Sequence, residues 1–182
     1  MQWTFPTTVL LLLLLTQRIQ ANFMLQRLSN LLAQNTVERA ALCPPLFSEV
    51  RGRCYHYGSF LASWFRAAEY CHSMGEHVSL ACVDDSVENW AIKRWLLFNG
   101  DHKTGAWIGG SDNGHHGIWA WFPTGQQVRF ADWGPSQPTG GDQHCMYIVG
   151  GMLGYQWADL HCDFEMNFIC EYRANQVTPW WR

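Results

Sequence analysis

The sequence predicts an α+β domain: two helices and short, mostly antiparallel strands, with a long loop region. Three observations carry that reading. The segments SWFRAAEYCHSMG and DDSVENWAIKRWLLFNG repeat apolar residues at helical spacing between capping residues. After Gly100 the pattern breaks into short strand-like runs punctuated by Gly, Pro, Asp and Asn. Residues 132–142, DWGPSQPTGGD, show no periodicity and read as a surface loop of the length that carries function.

At the N-terminus, residues 9–15 form a run of seven apolar residues, too short to span a bilayer. The run fits the core of a signal peptide over residues 1–21, with cleavage after Ala21 and a secreted product without a transmembrane anchor. Residues 22–42 are expected to be a linker or a short helix. Leu25, Leu28 and Leu32 keep helical spacing there, but over about two heptads, below the length of a credible coiled coil. Pro44 and Pro45 end any helix.

In the first predicted helix, Ser63 is the N-cap and Gly75 the stop, with Trp64, Ala67, Ala68, Cys71 and Met74 on one face. In the second, Asp85 and Glu88 have capping-box spacing, and Val87, Trp90, Ala91 and Phe98 are expected to face inward. Strand-like runs follow at 106–108, 117–122, 128–130, 145–149 and 168–172.

Composition excludes several classes. Charged residues are 15% of the 182, and 11 are Trp, which rules out a disordered chain. A net charge of −3 leaves no basic surface to track phosphates, so nucleic acid is not the partner. No GxSxG, HExxH or Gly-rich phosphate loop occurs, and Asp84-Asp85 sits at a helix start where the dipole accounts for it, so no enzyme is expected. The seven cysteines lack paired zinc spacing and suit the disulfides of a secreted domain, with connectivity open and one thiol left over. His115-His116, with His144 and His161 beside their cysteines, offers transition-metal ligands, but adjacent histidines in a strand-edge loop point apart, and a solvated loop is the expectation.

From 43 to about 172 the chain resembles the C-type lectin-like domain family. The residues that carry the resemblance are WFRAAEYC (64–71), WIGG (107–110), DWGPSQP before GGDQHC, WAD (157–159), Cys162 and FICEY (168–172). The stretch GHHGIWAWFPTGQQVRFADW is similar to secreted single-domain lectins of arthropods. The resemblance implies a domain over residues 43–173, a tail over 174–182, and bridges Cys71–Cys170, Cys145–Cys162 and the long-form Cys43–Cys54. Cys82 has no partner in that pattern. Buried, it is an inert thiol; exposed, it would join two chains into a homo-oligomer.

The family implies a calcium ion that holds vicinal sugar hydroxyls. Its oxygens come from a cis-proline motif, from a Glu two residues before the short-bridge cysteine, and from an Asn-Asp pair. Here the matching positions are Gln137-Pro138-Thr139, Gln143 and Ala158-Asp159. Asp159 is the one retained anionic metal ligand, with Asp142 a candidate substitute. One anion where several are expected implies calcium binding no tighter than about millimolar. The resemblance therefore implies glycan recognition on microbial or host surfaces through Gln137, Thr139, Gln143 and Asp159, as in innate immunity. The alternative is a calcium-independent domain that binds a protein or another surface. Trp133 and Trp157 offer faces for sugar stacking but are expected to pack in the core.

Overall fold

The structure, a computed structural model, describes residues 7–40, 43–100 and 103–173. The expected tail at 174–182 and the first six residues of the expected signal segment lie outside the described residues. The chain divides into two units, Met1–Leu42 and Cys43–Arg182.

In the first unit, one helix, α1 (Thr7–Ala40), runs through the apolar segment and through the residues expected to be linker or short helix. Leu25, Leu28 and Leu32 are exposed on it. Among the described residues no helix is long and apolar enough to cross a membrane.

The second unit opens with two strands that the sequence pattern did not reveal, β1 (Ser48–Val50) and β2 (Arg53–Ala62). Helix α2 (Trp64–Ser73) follows, with Ser63 accepting the Arg66 N–H as N-cap. Its buried face is Trp64, Ala67, Ala68 and Cys71, the spacing expected from sequence, with Met74 partly buried at its end. Next come β3 (Val78–Leu80) and helix α3 (Ser86–Asn99). Asp85 caps α3 by accepting the Val87 and Glu88 N–H groups at 2.8 and 2.9 Å, and Glu88 reaches back to the Asp84 N–H at 2.7 Å.

The expected inward face of α3 is corrected. Its buried residues are Glu88, Asn89, Ala91, Ile92 and Leu96, whereas Val87, Trp90 and Phe98 are exposed, Phe98 by 82%. Two polar residues displace the aromatics because both find partners inside. Glu88 accepts the Tyr55 hydroxyl and pairs with Arg53 at 3.0 Å. Asn89 accepts from Trp157 Nε1 at 3.0 Å and donates to Asp132 at 2.8 Å. A satisfied polar group can be buried, while Trp90 keeps partial cover from the Arg94 guanidinium over its ring.

The remaining strands are β4 (Ala106–Ser111), β5 (Ala120–Trp121), β6 (Gln126–Gln127), β7 (Cys145–Ile148), β8 (Trp157–Leu160) and β9 (Met166–Tyr172). The run at 128–130 is not a strand. Ladder pairing falls at Trp121↔Gln126 and Ala120↔Gln127, one last bond joins Val128 N–H to Trp119 C=O, and Phe130 then turns onto the Trp157 ring. The run at 117–122 is a strand only at Ala120–Trp121.

Strand order is β1-β2-β9-β4-β5-β6, with β3 also on β9 and β7 joining β4 to β8. Pairing is antiparallel except between β4 and β9, where Trp107 lies beside Phe168. Strand β9 is buried over its first six residues. Burying Trp64 and Trp107 requires partners for their indole N–H groups, and they donate to Ile108 C=O at 2.8 Å and Ala62 C=O at 3.0 Å.

Disulfides join Cys43–Cys54, Cys71–Cys170 and Cys145–Cys162. Cys82 is free and 3% exposed. Beneath it lies Glu171, fully buried, accepting the Cys82 N–H at 3.1 Å and paired with Arg173 at 2.6 Å and Arg53 at 3.2 Å.

Three outcomes follow from this packing. The Cys71–Cys170 bridge spans 99 positions. Replacing both cysteines by Ala should lower the unfolding free energy by about 4–5 kcal/mol, read from denaturant melts. Burial, with the Glu171 carboxylate close by, pushes the Cys82 thiol far above its ordinary value. A thiol reagent should leave the folded protein unlabelled and titrate one thiol in denaturant, and rapid native labelling would contradict that burial.

The third outcome concerns Arg173. Burial holds the Glu171 carboxyl above its ordinary value even with Arg173 against it. Such a group favours the folded state fully below its unfolded value of about 4.3, and the contribution is lost as pH rises through the folded value. Arg173 offsets that loss. Arg173→Ala should cost little at about pH 4 and about 3–5 kcal/mol at about pH 7 in urea melts, whereas a deficit independent of pH would break the assigned coupling.

Candidate functional site

The irregular segment between β6 and β7 is built against the edge of β8. Trp157 N–H donates to Asp132 C=O and Gly134 N–H to Trp157 C=O, both at 2.8 Å. Trp133 therefore lies alongside Trp157 in a parallel bridge. Asn89 and Lys93 of α3 both reach the Asp132 carboxylate, which anchors the start of the loop to the helix. Asp132 opens the loop singled out in the sequence, whereas Asn89 and Lys93 did not stand out as part of this site. Their partners lie dozens of positions away, and no local spacing signals them.

The tip carries the residues singled out from the sequence. Gln137-Pro138 is a cis peptide. Gln137 Oε1 accepts the Asp159 N–H at 3.2 Å. Asp159 is 1% exposed, and its two oxygens accept the Thr139 N–H at 2.7 Å and the Gly140 N–H at 2.6 Å. Gly140 and Gly141 follow with φ of +73° and +69°, a left-handed pair that side chains with a Cβ resist. Gln143 N–H closes the turn on Gly140 C=O at 3.3 Å. The carboxylate thus does the work of a cap: two backbone donors of an exposed loop converge on one buried anion. Hydrogen bonds of this charge-assisted kind are about twice as strong as neutral ones.

The structure brings Gln137, Thr139 and Asp159 into direct contact and places Gln143 on the same turn. Thr139 and Asp142 are exposed, Gln137 and Gln143 half-buried. Ala158, at the position of the family's amide ligand, is buried in the core. These donors do not make up a calcium shell. The buried carboxylate already holds two backbone N–H groups, and the neighbouring positions supply no second anion in contact with it. Among the described residues no group of three or more His, Cys, Asp or Glu is placed to hold a metal ion.

Trp157 is fully buried and Trp133 half-buried, with Trp119 and Phe130 packed around them. Core packing therefore accounts for both tryptophans. His115 and His116 are exposed, as expected of a solvated loop. His116 does not stand alone in solvent: its ring meets that of His144 at 4.5 Å between centroids. A separate cleft of about 120 Å³, lined by residues including Arg53, Tyr55, Asp85 and Glu88, shares no residue with the loop.

Comparison with known proteins agrees with this architecture. The Lectin C-type domain family matches residues 61–172. Perlucin of Haliotis laevigata is 30% identical over 135 residues, covering 71% of this chain and 82% of its own length. Salivary C-type lectin 2 of Aedes albopictus is 30% identical over 125 residues, covering 64% and 82%. Two solved type II antifreeze proteins are similar in structure. A Ca2+-dependent one in its Ca2+-free form is 28% identical with a TM-score of 0.62, covering 72% of this chain and 100% of that one. A calcium-independent one is 26% identical with a TM-score of 0.62, covering 73% and 95%. The family match runs from the end of β2, through α2, to the end of β9, so the chain belongs to the C-type lectin domain family, whose members bind rather than catalyse.

Proposed function

We propose that this protein is a secreted lectin that recognises glycans on microbial or host surfaces through the loop at 137–143, without needing calcium to shape that loop. The observation that carries the reading is the Asp159 carboxylate, which already gathers the Thr139 and Gly140 N–H groups. In this reading Gln137, Thr139 and Gln143 supply hydrogen bonds to sugar hydroxyls, and Asp159 acts from beneath by holding them in place. Similarity to an antifreeze protein described as calcium-independent supports a working domain of this kind without the ion. Secretion, with cleavage after Ala21, is supported by the apolar run at 9–15 and by similarity to a mosquito salivary lectin. Contacts of this type are weak singly, so several copies on one surface would be needed to agglutinate cells in an innate immune role.

A second reading keeps the fold and takes a protein as ligand. It is favoured by the outward face of α3, where Val87, Trp90, Leu97 and Phe98 are all exposed. Contiguous exposed apolar surface marks interaction sites.

A glycan array separates the two. The oxidised protein should bind glycans equally with and without chelator, and Asp159→Ala should weaken that signal at least about tenfold by releasing the loop. Calorimetry should find calcium affinity no tighter than about millimolar. Strong binding abolished by chelator would overturn the calcium-independent site. An empty array, with capture of a protein ligand lost in Trp90→Ser, would favour the second reading.

A further inference from the structure

Next to the short disulfide, four side chains that the loop at 137–143 does not use are drawn together. Asp112 follows directly on β4, and its side chain is 6% exposed. Its Oδ1 accepts from His144 Nδ1 at 2.9 Å, and its Oδ2 accepts the Gly117 N–H at 2.7 Å. Its backbone C=O accepts the His115 N–H at 3.0 Å, and its own N–H donates to His144 C=O at 3.2 Å. Asn113 donates to Ser111 Oγ at 2.9 Å and to Cys162 Sγ at 3.4 Å, which ties the same turn to the Cys145–Cys162 bridge. The turn at 112–117 is thereby wound around one carboxylate, and it sets the exposed His116 against His144.

The protonation of His144 follows from this. A carboxylate can only accept, so Nδ1 carries the proton and the neutral ring keeps its lone pair on Nε2. This is the carboxylate–histidine arrangement that orients metal-ligating imidazoles and raises their basicity. The spacing also fits. With metal–nitrogen bonds of about 2.0–2.1 Å, two imidazoles at the tetrahedral angle of one ion have centroids about 5 Å apart, a separation that the exposed His116 ring reaches by a small side-chain rotation. The rings of His116 and His144 are separated by 4.5 Å and inclined at 75°.

We propose that His116 and His144 form a chelate for a divalent transition ion of the zinc class, with Asp112 as the positioning residue for His144. Imidazole nitrogen selects such ions over calcium, whose shell is built from oxygen. Water, or a donor from a bound partner, fills the remaining positions. The site stands independently of how the loop at 137–143 contacts a glycan.

Zinc titration of the oxidised, tag-free full chain tests this. Calorimetry should give one Zn2+ per chain, unaffected by millimolar Ca2+. His116→Ala, a change at an exposed side chain, and His144→Ala should each weaken binding at least about tenfold. His115→Ala, next in sequence, should leave it unchanged. Asp112→Asn should weaken binding by about 10–100-fold, and histidine ring nitrogen resonances should show Zn2+ on Nε2 of His144 with Nδ1 still protonated. Zinc binding that survives His116→Ala, or ring resonances of His116 and His144 that do not move, would overturn the site.

Discussion

Strand β9 pairs with β2, β3 and β4, and few of its residues have any route to water. Much of the domain answers that constraint. The strand needs hydrogen-bond partners along both edges, which β2 supplies along one edge and β4 and β3 in succession along the other. It carries Cys170, bonded to α2, and Phe168, packed against Trp107 and the aromatic edge of β2. It also carries Glu171, a buried anion that is tolerable only because Arg53, Arg173 and the Cys82 N–H converge on it. Gly58 is drawn into the same requirement. A Cβ there would lie 2.2 Å from the Phe168 ring, so the bend in β2 has room for no side chain.

The loop follows the same rule beside β8. An exposed segment without ladder partners still has backbone groups to satisfy, and Asp159 satisfies two of them from within β8. In a calcium-bearing relative, metal and loop would organise one another. Here the Asp159 carboxylate accepts two loop N–H groups directly and holds the turn at Thr139 and Gly140. Preorganisation of that kind lowers the ordering cost of binding. The Asp112 turn repeats the device: a buried carboxylate collects backbone and imidazole donors and shapes an exposed loop around them.

Helices α2 and α3 show what pattern reading can reach. On α2 every inward residue is apolar or small, so spacing and burial agree. On α3 the inward positions include Glu88 and Asn89, which a hydrophobic pattern rejects, and the outward positions include Trp90 and Phe98, which it selects. The error is physical. Burial of a polar side chain depends on whether a distant partner meets it, and Tyr55, Arg53, Trp157 and Asp132 are all remote in sequence.

The sequence by itself determined the α+β class, the caps of both domain helices, the long loop at 132–142 and the family, because these rest on short-range spacing and on motifs in fixed order. It also placed Gln137, Thr139, Gln143 and Asp159 in the region of interest. Only the tertiary structure decided that strands β1 and β2 precede the helices in the sheet, that Asp159 faces inward to cap the loop, and that His116 meets His144. Each of those depends on residues tens of positions apart being brought within a few ångströms. That proximity is set by burying β9 and its neighbours, and no local run of side chains records it.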